Sequence, residues 1–344
     1  MTDNSPVLTT QLNFASIGLG WWGDQLAKAV QRSGTARIAS CFARSAEARA
    51  AFASTHGCEA ADSFEQVLED DSIDAVVLAT PHSTHLAQIR AAAEAGKHVF
   101  VEKPITVAYS EAVDAAKAAR AAGVVLQVGH HRRRVAATRA LRRRVDDGAF
   151  GMVHLIEAKV TTPSDITPRG GWRGDPLECP LGGMTALGVH MIDSIQYLGG
   201  EITSVYATSR QILGRGRLDD ATTLSLELAS GALATLMTSM VVPRETSIAV
   251  HGHQGSGWSE MDGAELYLQG IDAGGRERQD VEVIDAVADQ MREFAGAIVS
   301  GEDPEVTGEV GADVIAVLEA ARISAVERRP VSVADVRDAS LVFS

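Results

Sequence analysis

Two rhythms of apolar and polar positions divide the chain. Over the first 129 residues, short apolar runs alternate with stretches of helical spacing. Residues 12–18 form an apolar run that ends in glycines, and residues 23–31 follow with Leu26, Ala27 and Val30 on one helical face. Residues 37–43 predict a second strand and 46–55 a helix. Residues 73–80 (IDAVVLAT) are a continuous apolar run stopped by Pro81, as suits a central parallel strand covered on both faces. Residues 85–95 predict a helix closed by Gly96, 98–101 a strand, 110–122 a helix closed by Gly123, and 124–128 one more strand. Repeated βα units of this kind predict a doubly wound parallel sheet with its ligand at the carboxyl ends of the strands.

After Gly129 the rhythm changes. A basic helix over 132–147 leads into a strand over 152–161, a Pro/Gly-rich loop over 162–182 and a helix over 184–198. Residues 204–211, 221–229, 232–241, 247–252 and 264–269 then alternate apolar and polar positions, with Ser230-Gly231 as a hairpin turn. Helical spacing returns over 285–300 and 309–327. The expected fold is therefore α/β. It combines an N-terminal Rossmann doubly wound parallel sheet over 1–129 with a C-terminal α+β domain over 130–344 that carries a large open, mainly antiparallel sheet. The second domain would bind substrate and form oligomers. Too few later helices remain to cover its sheet, so the outer face is expected to be apolar and to join copies into a homodimer or homotetramer.

Composition narrows the function. The 344 residues carry a formal net charge of −14, which argues against a nucleic-acid partner or an anionic membrane surface. No apolar run reaches the length of a membrane span, and the polar first ten residues do not resemble a signal peptide. Three widely spaced cysteines, Cys41, Cys58 and Cys179, suggest neither a disulfide framework nor a zinc site and fit a reducing cytoplasm. His82 with His85, and His251 with His253, are close in sequence, but nothing completes a ligand set and no metal is expected.

The strongest motif is Gly18-Leu19-Gly20-Trp21-Trp22-Gly23, a G-x-G-x-x-G directly after a strand and directly before a helix. Gly18 would make the tight turn, Gly20 would admit the pyrophosphate to the backbone, and Gly23 would let helix and strand pack closely. The helix N-terminus supplies free N–H groups for phosphate. Trp21 and Trp22 sit in this turn, one covering the cofactor and the other packing. The second strand ends in Cys41-Phe42-Ala43-Arg44-Ser45, without the acid that bonds a ribose 2′-hydroxyl. Arg44 and Ser45 instead suit a 2′-phosphate, which favours NADP over NAD. The alternative is a solvated Arg44 stacking on adenine, with NAD as the cofactor.

Three further segments matter together: Ala79-Thr80-Pro81-His82 after a central strand, Glu102-Lys103-Pro104 after the next, and Gly188-Val189-His190-Met191-Ile192-Asp193 on a helix of the second half. With the glycine turn, and in this order, they resemble the glucose–fructose oxidoreductase / inositol dehydrogenase family (Gfo/Idh/MocA) of NAD(P)-dependent oxidoreductases. The resemblance implies hydride transfer to or from a hydroxyl or keto carbon of a sugar, cyclitol or related polyol. It implies Lys103 and His190 as the proton-handling pair, a cis bond before Pro104, and Thr80, Pro81, His82, His85 and Glu102 around the cofactor. A lysine desolvated beside a nicotinamide has a lowered pKa, and an imidazole titrates near neutrality, so both suit proton transfer. Asp193 lies on the same helix face as His190 and would orient it or touch substrate; a helix-surface or inter-domain salt bridge is the alternative. Trp172 and Arg173 would hold a sugar face and a carboxylate or hydroxyl. His131, with Arg133, would line the site from Gly129-His130-His131-Arg132-Arg133-Arg134, a charge run that otherwise reads as a solvated helix start.

One position departs from the family. Many members carry Asp four residues before this histidine, where this chain has Ala186. Asp175 and Glu178 are the candidates to replace it. The departure leaves two other readings: a dehydrogenase of trans-dihydrodiols, and a dinucleotide-binding regulator without catalysis. Ala186 favours the regulator, whereas Lys103 and His190 argue for the enzyme.

Overall fold

A computed structural model describes residues 11–167 and 170–341. The polar start over 1–10 and positions 168–169 of the Pro/Gly-rich loop lie outside the described residues.

The first half builds a parallel six-stranded sheet. Its elements are β1 (Leu12–Ile17), α1 (Trp21–Ser33), β2 (Ala36–Phe42), α2 (Ala46–His56), β3 (Glu59–Ala60), α3 (Phe64–Glu69), β4 (Ala75–Leu78), α4 (His85–Glu94), β5 (His98–Val101), α5 (Tyr109–Ala122) and β6 (Leu126–Val128). The strand order is β3-β2-β1-β4-β5-β6. The order reverses between β1 and β4, and the crevice at that reversal is where such sheets take ligands. The segments after β1, β4, β5 and β6 all emerge at this carboxyl edge. β4 is buried along its whole length, as its unbroken apolar run requires. The two-residue β3 and the short α3 are absent from the sequence reading, because neither is long enough to show a period.

The second half builds a nine-stranded sheet. α6 (Ala136–Asp146), β7 (Val153–Thr161), α7 (Val189–Gly199), β8 (Ile202–Arg210), β9 (Ala221–Leu228), β10 (Leu233–Ser239), β11 (Glu245–Gly252), β12 (Gly255–Glu260), β13 (Glu265–Gly270), β14 (Glu277–Gln279), α8 (Ala286–Ser300), α9 (Gly308–Glu327), β15 (Val331–Ser332) and α10 (Val333–Leu341) follow in order. The sheet order is β14-β13-β12-β11-β7-β10-β9-β8-β15. Every pairing is antiparallel except β7 with β10. The glycine- and serine-rich β12 escaped the sequence reading because it lacks apolar alternation. Side-chain oxygens of Ser45, Ser63, Asp285 and Thr307 cap α2, α3, α8 and α9.

α6, α7 and α9 cover one face of this sheet. The other face is open, and it corrects the expectation of an apolar surface. Along β9, Thr222, Leu224, Leu226 and Leu228 are buried while Thr223, Ser225 and Glu227 face out. Leu155, Leu233, Met237 and Tyr206 are exposed on the same face, among Glu157, Thr235 and Glu227, so the surface is mixed.

The last helices return to the first sheet. The Phe294 ring of α8 packs 5.3 Å from Phe14 of β1 and 5.9 Å from Phe100 of β5, centroid to centroid. Met291 and Ala295 join the same core as Leu26 and Val30 of α1.

Candidate active site

The glycine turn makes a cradle of defined shape. Gly18 has φ +90°, and a Cβ there would lie 2.6 Å from the Ala79 carbonyl oxygen. A Cβ on Gly23 would lie 2.1 Å from the Gly18 carbonyl, so α1 packs directly on the turn. Around Gly20 there is open space, and no side chain caps the N-terminus of α1. Bare N–H groups at a thirteen-residue helix, with clearance beside the backbone, are what a pyrophosphate needs. The residues present therefore fit a dinucleotide.

At the end of β2 no acid appears. Arg44 is exposed, and Ser45 caps α2 by accepting a hydrogen bond from the Ala48 N–H at 3.2 Å.

A cleft of about 370 Å³ opens beside the turn, between the two halves. The first half contributes Trp21, Trp22, Thr80, His82, His85, Glu102 and Lys103; the second half contributes His131, Arg132, Trp172, Arg173, Ala186, His190 and Arg244. Trp21 is largely exposed at the rim, and its ring lies 5.4 Å from that of Trp22.

Lys103 and His190 meet here. Lys103 Nζ donates to the Ala186 carbonyl at 2.8 Å, one helical turn before His190. Burial lowers the Lys103 pKa; the Glu102 charge opposes this, while Arg132 and Arg173 add to it. Burial also drives His190 well below its usual value, helped by Lys103, His131 and Arg132. His190 Nδ1 has no hydrogen-bond partner among the described residues. Its ring lies 4.7 Å from that of His131, which burial holds at about 3. Neutral imidazoles next to a desolvated lysine can accept and return a proton.

Glu102 is buried beneath them. Burial pushes its pKa up to about 7 against the pull of Lys103 and of the Trp22 indole N–H. A Cβ on Gly129 would lie 2.8 Å from Glu102 Oε1, so a glycine at the end of β6 leaves room for the carboxyl. The Lys103–Pro104 bond is cis, as the resemblance implied. His85 is fully buried, with Nδ1 3.0 and 3.1 Å from the Pro104 and Ile105 carbonyls and Nε2 3.2 Å from that of Thr80. Burial lowers its pKa, so the neutral ring, wedged between the Lys103 turn and the end of β4, donates through one nitrogen only. Thr80 donates to Gln88 Oε1 at 2.6 Å, and Pro81 precedes the turn that starts α4. His82 lies 2.7 Å from the Glu178 carbonyl through Nδ1, and burial pushes its pKa to about 3.

Several expected residues are used differently. Asp193 does not orient His190: it is fully buried and accepts from Arg133, through Nε at 2.9 Å and through a second guanidinium nitrogen. The alternative of a salt bridge holds, but neither on the helix surface nor between the halves: the pair is buried, and both partners belong to the second half. Arg133 and Arg134 are not a solvated helix start. Arg134 is buried against Asp289 at 2.7 Å and Glu305 at 3.0 Å, and α6 begins only at Ala136. Arg132, not Arg133, reaches the cleft. Asp175 accepts from the Leu177 N–H at 3.1 Å within its own loop, and Glu178 accepts from the Ser83 N–H at 3.1 Å. Neither lines the cleft, so neither replaces an acid at position 186. Arg173 stacks on Trp172, 4.2 Å above the ring, and Trp172 meets the His82 ring at 4.8 Å. Arg244, between β10 and β11, was not foreseen; an isolated loop arginine carries no sequence signal of its destination.

A parallel sheet with a dinucleotide cradle at its switch point, joined to an antiparallel sheet that closes one cleft over it, defines a two-domain dinucleotide-dependent oxidoreductase. Residues 12–130 match the oxidoreductase family with NAD-binding Rossmann fold (GFO_IDH_MocA), and residues 138–257 match the GFO/IDH/MocA C-terminal domain. The chain belongs to the GFO/IDH/MocA oxidoreductase family. It is 33% identical to 1,5-anhydro-D-fructose reductase of Ensifer adhaerens over 224 residues, 64% of this chain and 67% of that protein. It is 29% identical to inositol 2-dehydrogenase of Rhizobium meliloti (strain 1021) over 345 residues, 94% of this chain and 99% of that protein. Among solved structures, an oxidoreductase from Desulfitobacterium hafniense DCB-2, named as NADPH-dependent, superposes with a TM-score of 0.91. It is 27% identical and covers 95% of this chain and 99% of its own.

Proposed function

We propose that this chain transfers a hydride between a nicotinamide dinucleotide and a hydroxyl or keto carbon of a sugar, cyclitol or related polyol, with Lys103 and His190 as its catalytic residues. The observation that carries the reading is their convergence: one from each half of the chain, they line a single cleft with Trp22 of the phosphate turn. The relatives that reduce anhydrofructose or oxidise inositol support the substrate class. When bound, the nicotinamide accepts or donates the hydride. Trp22, Thr80 and Glu102 would flank it, and the free N–H groups after Gly20 would hold its pyrophosphate. In the oxidising direction, neutral His190 takes the hydroxyl proton while Lys103 donates a hydrogen bond to the reacting oxygen. In reduction, the same pair returns a proton to the nascent alkoxide. His131 and Trp172 shape the substrate side of the cleft.

NADP(H) is the favoured cofactor in this proposal, because Arg44 and the absence of an acid after β2 suit a 2′-phosphate. The open sheet would join copies in a homo-oligomer, and a cytoplasmic setting completes the reading.

The test follows NAD(P)H absorbance over a panel of polyols and ketoses. Lys103→Ala and His190→Ala should each lower kcat/KM by about 10²-fold or more, with dinucleotide affinity changed by no more than about threefold, since general acid–base groups act on the transition state. Full turnover in either variant contradicts their roles. Arg44→Ala should weaken NADPH binding more than NADH binding; equal effects favour NAD. A second reading rests on Ala186, whose carbonyl engages Lys103 at the position where the family resemblance leads one to expect an acid. Tight dinucleotide binding without turnover over the whole panel would make the chain a regulator.

A further inference from the structure

We propose that the cleft selects an anionic polyol, one bearing a carboxylate or phosphate, whose charged group sits among Arg132, Arg173 and Arg244 while its reacting hydroxyl faces Lys103 and His190. This rests on the reading of the cleft given above and names its substrate class.

The argument is a charge count at one place. The whole chain is acidic, with a formal charge of −14, yet among the described residues three arginines line this cleft and Glu102 is the one carboxylate that does. Glu102 lies buried beneath the lysine rather than at the mouth. Arginine keeps its charge at any accessible pH, and its planar fork matches carboxylate and phosphate oxygens. Position 186 carries alanine, so no side chain there repels an anion next to Lys103.

The arginines are also held in place. Asp262 bonds Arg132 at 2.7 Å and lies 3.7 Å from Arg244, so one carboxylate anchors Arg132 and draws Arg244 toward the same place at the cost of one charge. Arg173 lies flat on Trp172 at 4.2 Å, and Trp172 rests against His82 at 4.8 Å, whose ring is fixed to the Glu178 carbonyl at 2.7 Å. Pre-ordered guanidinium groups lose little rotamer freedom on binding an anion. The dinucleotide does not account for them: its pyrophosphate belongs to the N-terminus of α1, and a 2′-phosphate would belong to Arg44.

The test uses the full chain saturated with NADPH or NADH, with ligand binding read by nicotinamide fluorescence or calorimetry. Matched ligands are a hexose, its hexuronate, its aldonate and its 6-phosphate. The hexuronate, the aldonate or the phosphate should bind at least about tenfold more tightly than the hexose, as a charge-assisted fork predicts. The preference should shrink as salt rises from about 50 to 500 mM. Arg173→Met and Arg244→Met should each remove about tenfold of the anion's affinity, and Arg244→Met should leave hexose binding unchanged. Both side chains are exposed, so unfolding does not confuse the result. Which anion binds tighter distinguishes carboxylate from phosphate. Equal or tighter binding of the hexose, no binding of any ligand, or anion affinity unmoved in both variants overturns the proposal. Tight anion binding without turnover sinks the hydride-transfer reading and leaves this one standing. Turnover confined to neutral polyols does the reverse.

Discussion

Glu102 shows how one buried group links chemistry to stability. Its carboxyl moves from an ordinary value of 4.5 to about 7 because the folded chain removes it from water. Between those values the folded protein keeps a proton that the unfolded chain releases. Stability from this group therefore falls as pH rises from 4.5 to about 7, then levels off. Glu102→Gln should be more stable than the parent at pH 8 by about 1 to 3 kcal/mol, with a gap that closes toward pH 4.5. Lys103, deprived of its neighbouring carboxylate, offsets part of the gain. Urea unfolding at the two pH values checks this; a gap independent of pH contradicts it. The histidines of the cleft act in the opposite sense: burial lowers the pKa of His82, His131 and His190 below the ordinary 6.5, so the unfolded chain takes up protons that the folded chain refuses, and their contribution to stability rises with pH up to about 6.5.

At the scale of the element, the three glycines of the phosphate turn do separable work. Gly23 faces the Gly18 carbonyl at a distance no Cβ tolerates, so Gly23→Ala must push α1 off the turn. It should cost about 1 to 3 kcal/mol in stability, as overpacking does, together with dinucleotide affinity. Gly20 faces open space, so Gly20→Ala should melt with the parent yet bind the dinucleotide on the order of tenfold more weakly, since the new methyl group occupies the side a pyrophosphate approaches. Thermal melts beside fluorescence titration separate the two. Equal losses of stability would show that Gly20 serves the fold rather than the ligand. α7 makes a similar point. The segment that leads into it, Met184–Gly188, is a wider π-helical turn, which brings the Ala186 carbonyl to Lys103.

At the scale of the molecule, the open sheet decides assembly. Leu155 of β7 pairs in register with Leu233 of β10, and Met237 lies four residues further along β10, beyond the pair Thr235–Glu157. These apolar side chains stand in a field of Thr, Ser and Glu, a composition closer to that of a protein–protein interface than to a core. Light scattering should find a dimer or tetramer, and Leu155→Glu with Met237→Glu should yield a smaller species. A monomeric parent chain would refute assembly through this face.

The sequence by itself determined the parallel sheet, because β1, β4 and β5 are apolar runs that must be covered on both faces, and because the glycines of the turn work only between a strand and a helix. It also determined which residues emerge at the carboxyl edge, since every segment after a parallel strand does so. What it could not carry was partnership across distance. Asp193 lies near His190 in sequence, but the buried guanidinium of Arg133 was the stronger claimant for its charge. α8 lies at the far end of the chain, yet its Phe294 completes the core between Phe14 and Phe100. Arg132, Arg173 and Arg244 come from three separate loops, so their shared cleft exists only once the two sheets are packed. Periodicity encodes which face of an element is buried; only tertiary packing decides what it is buried against.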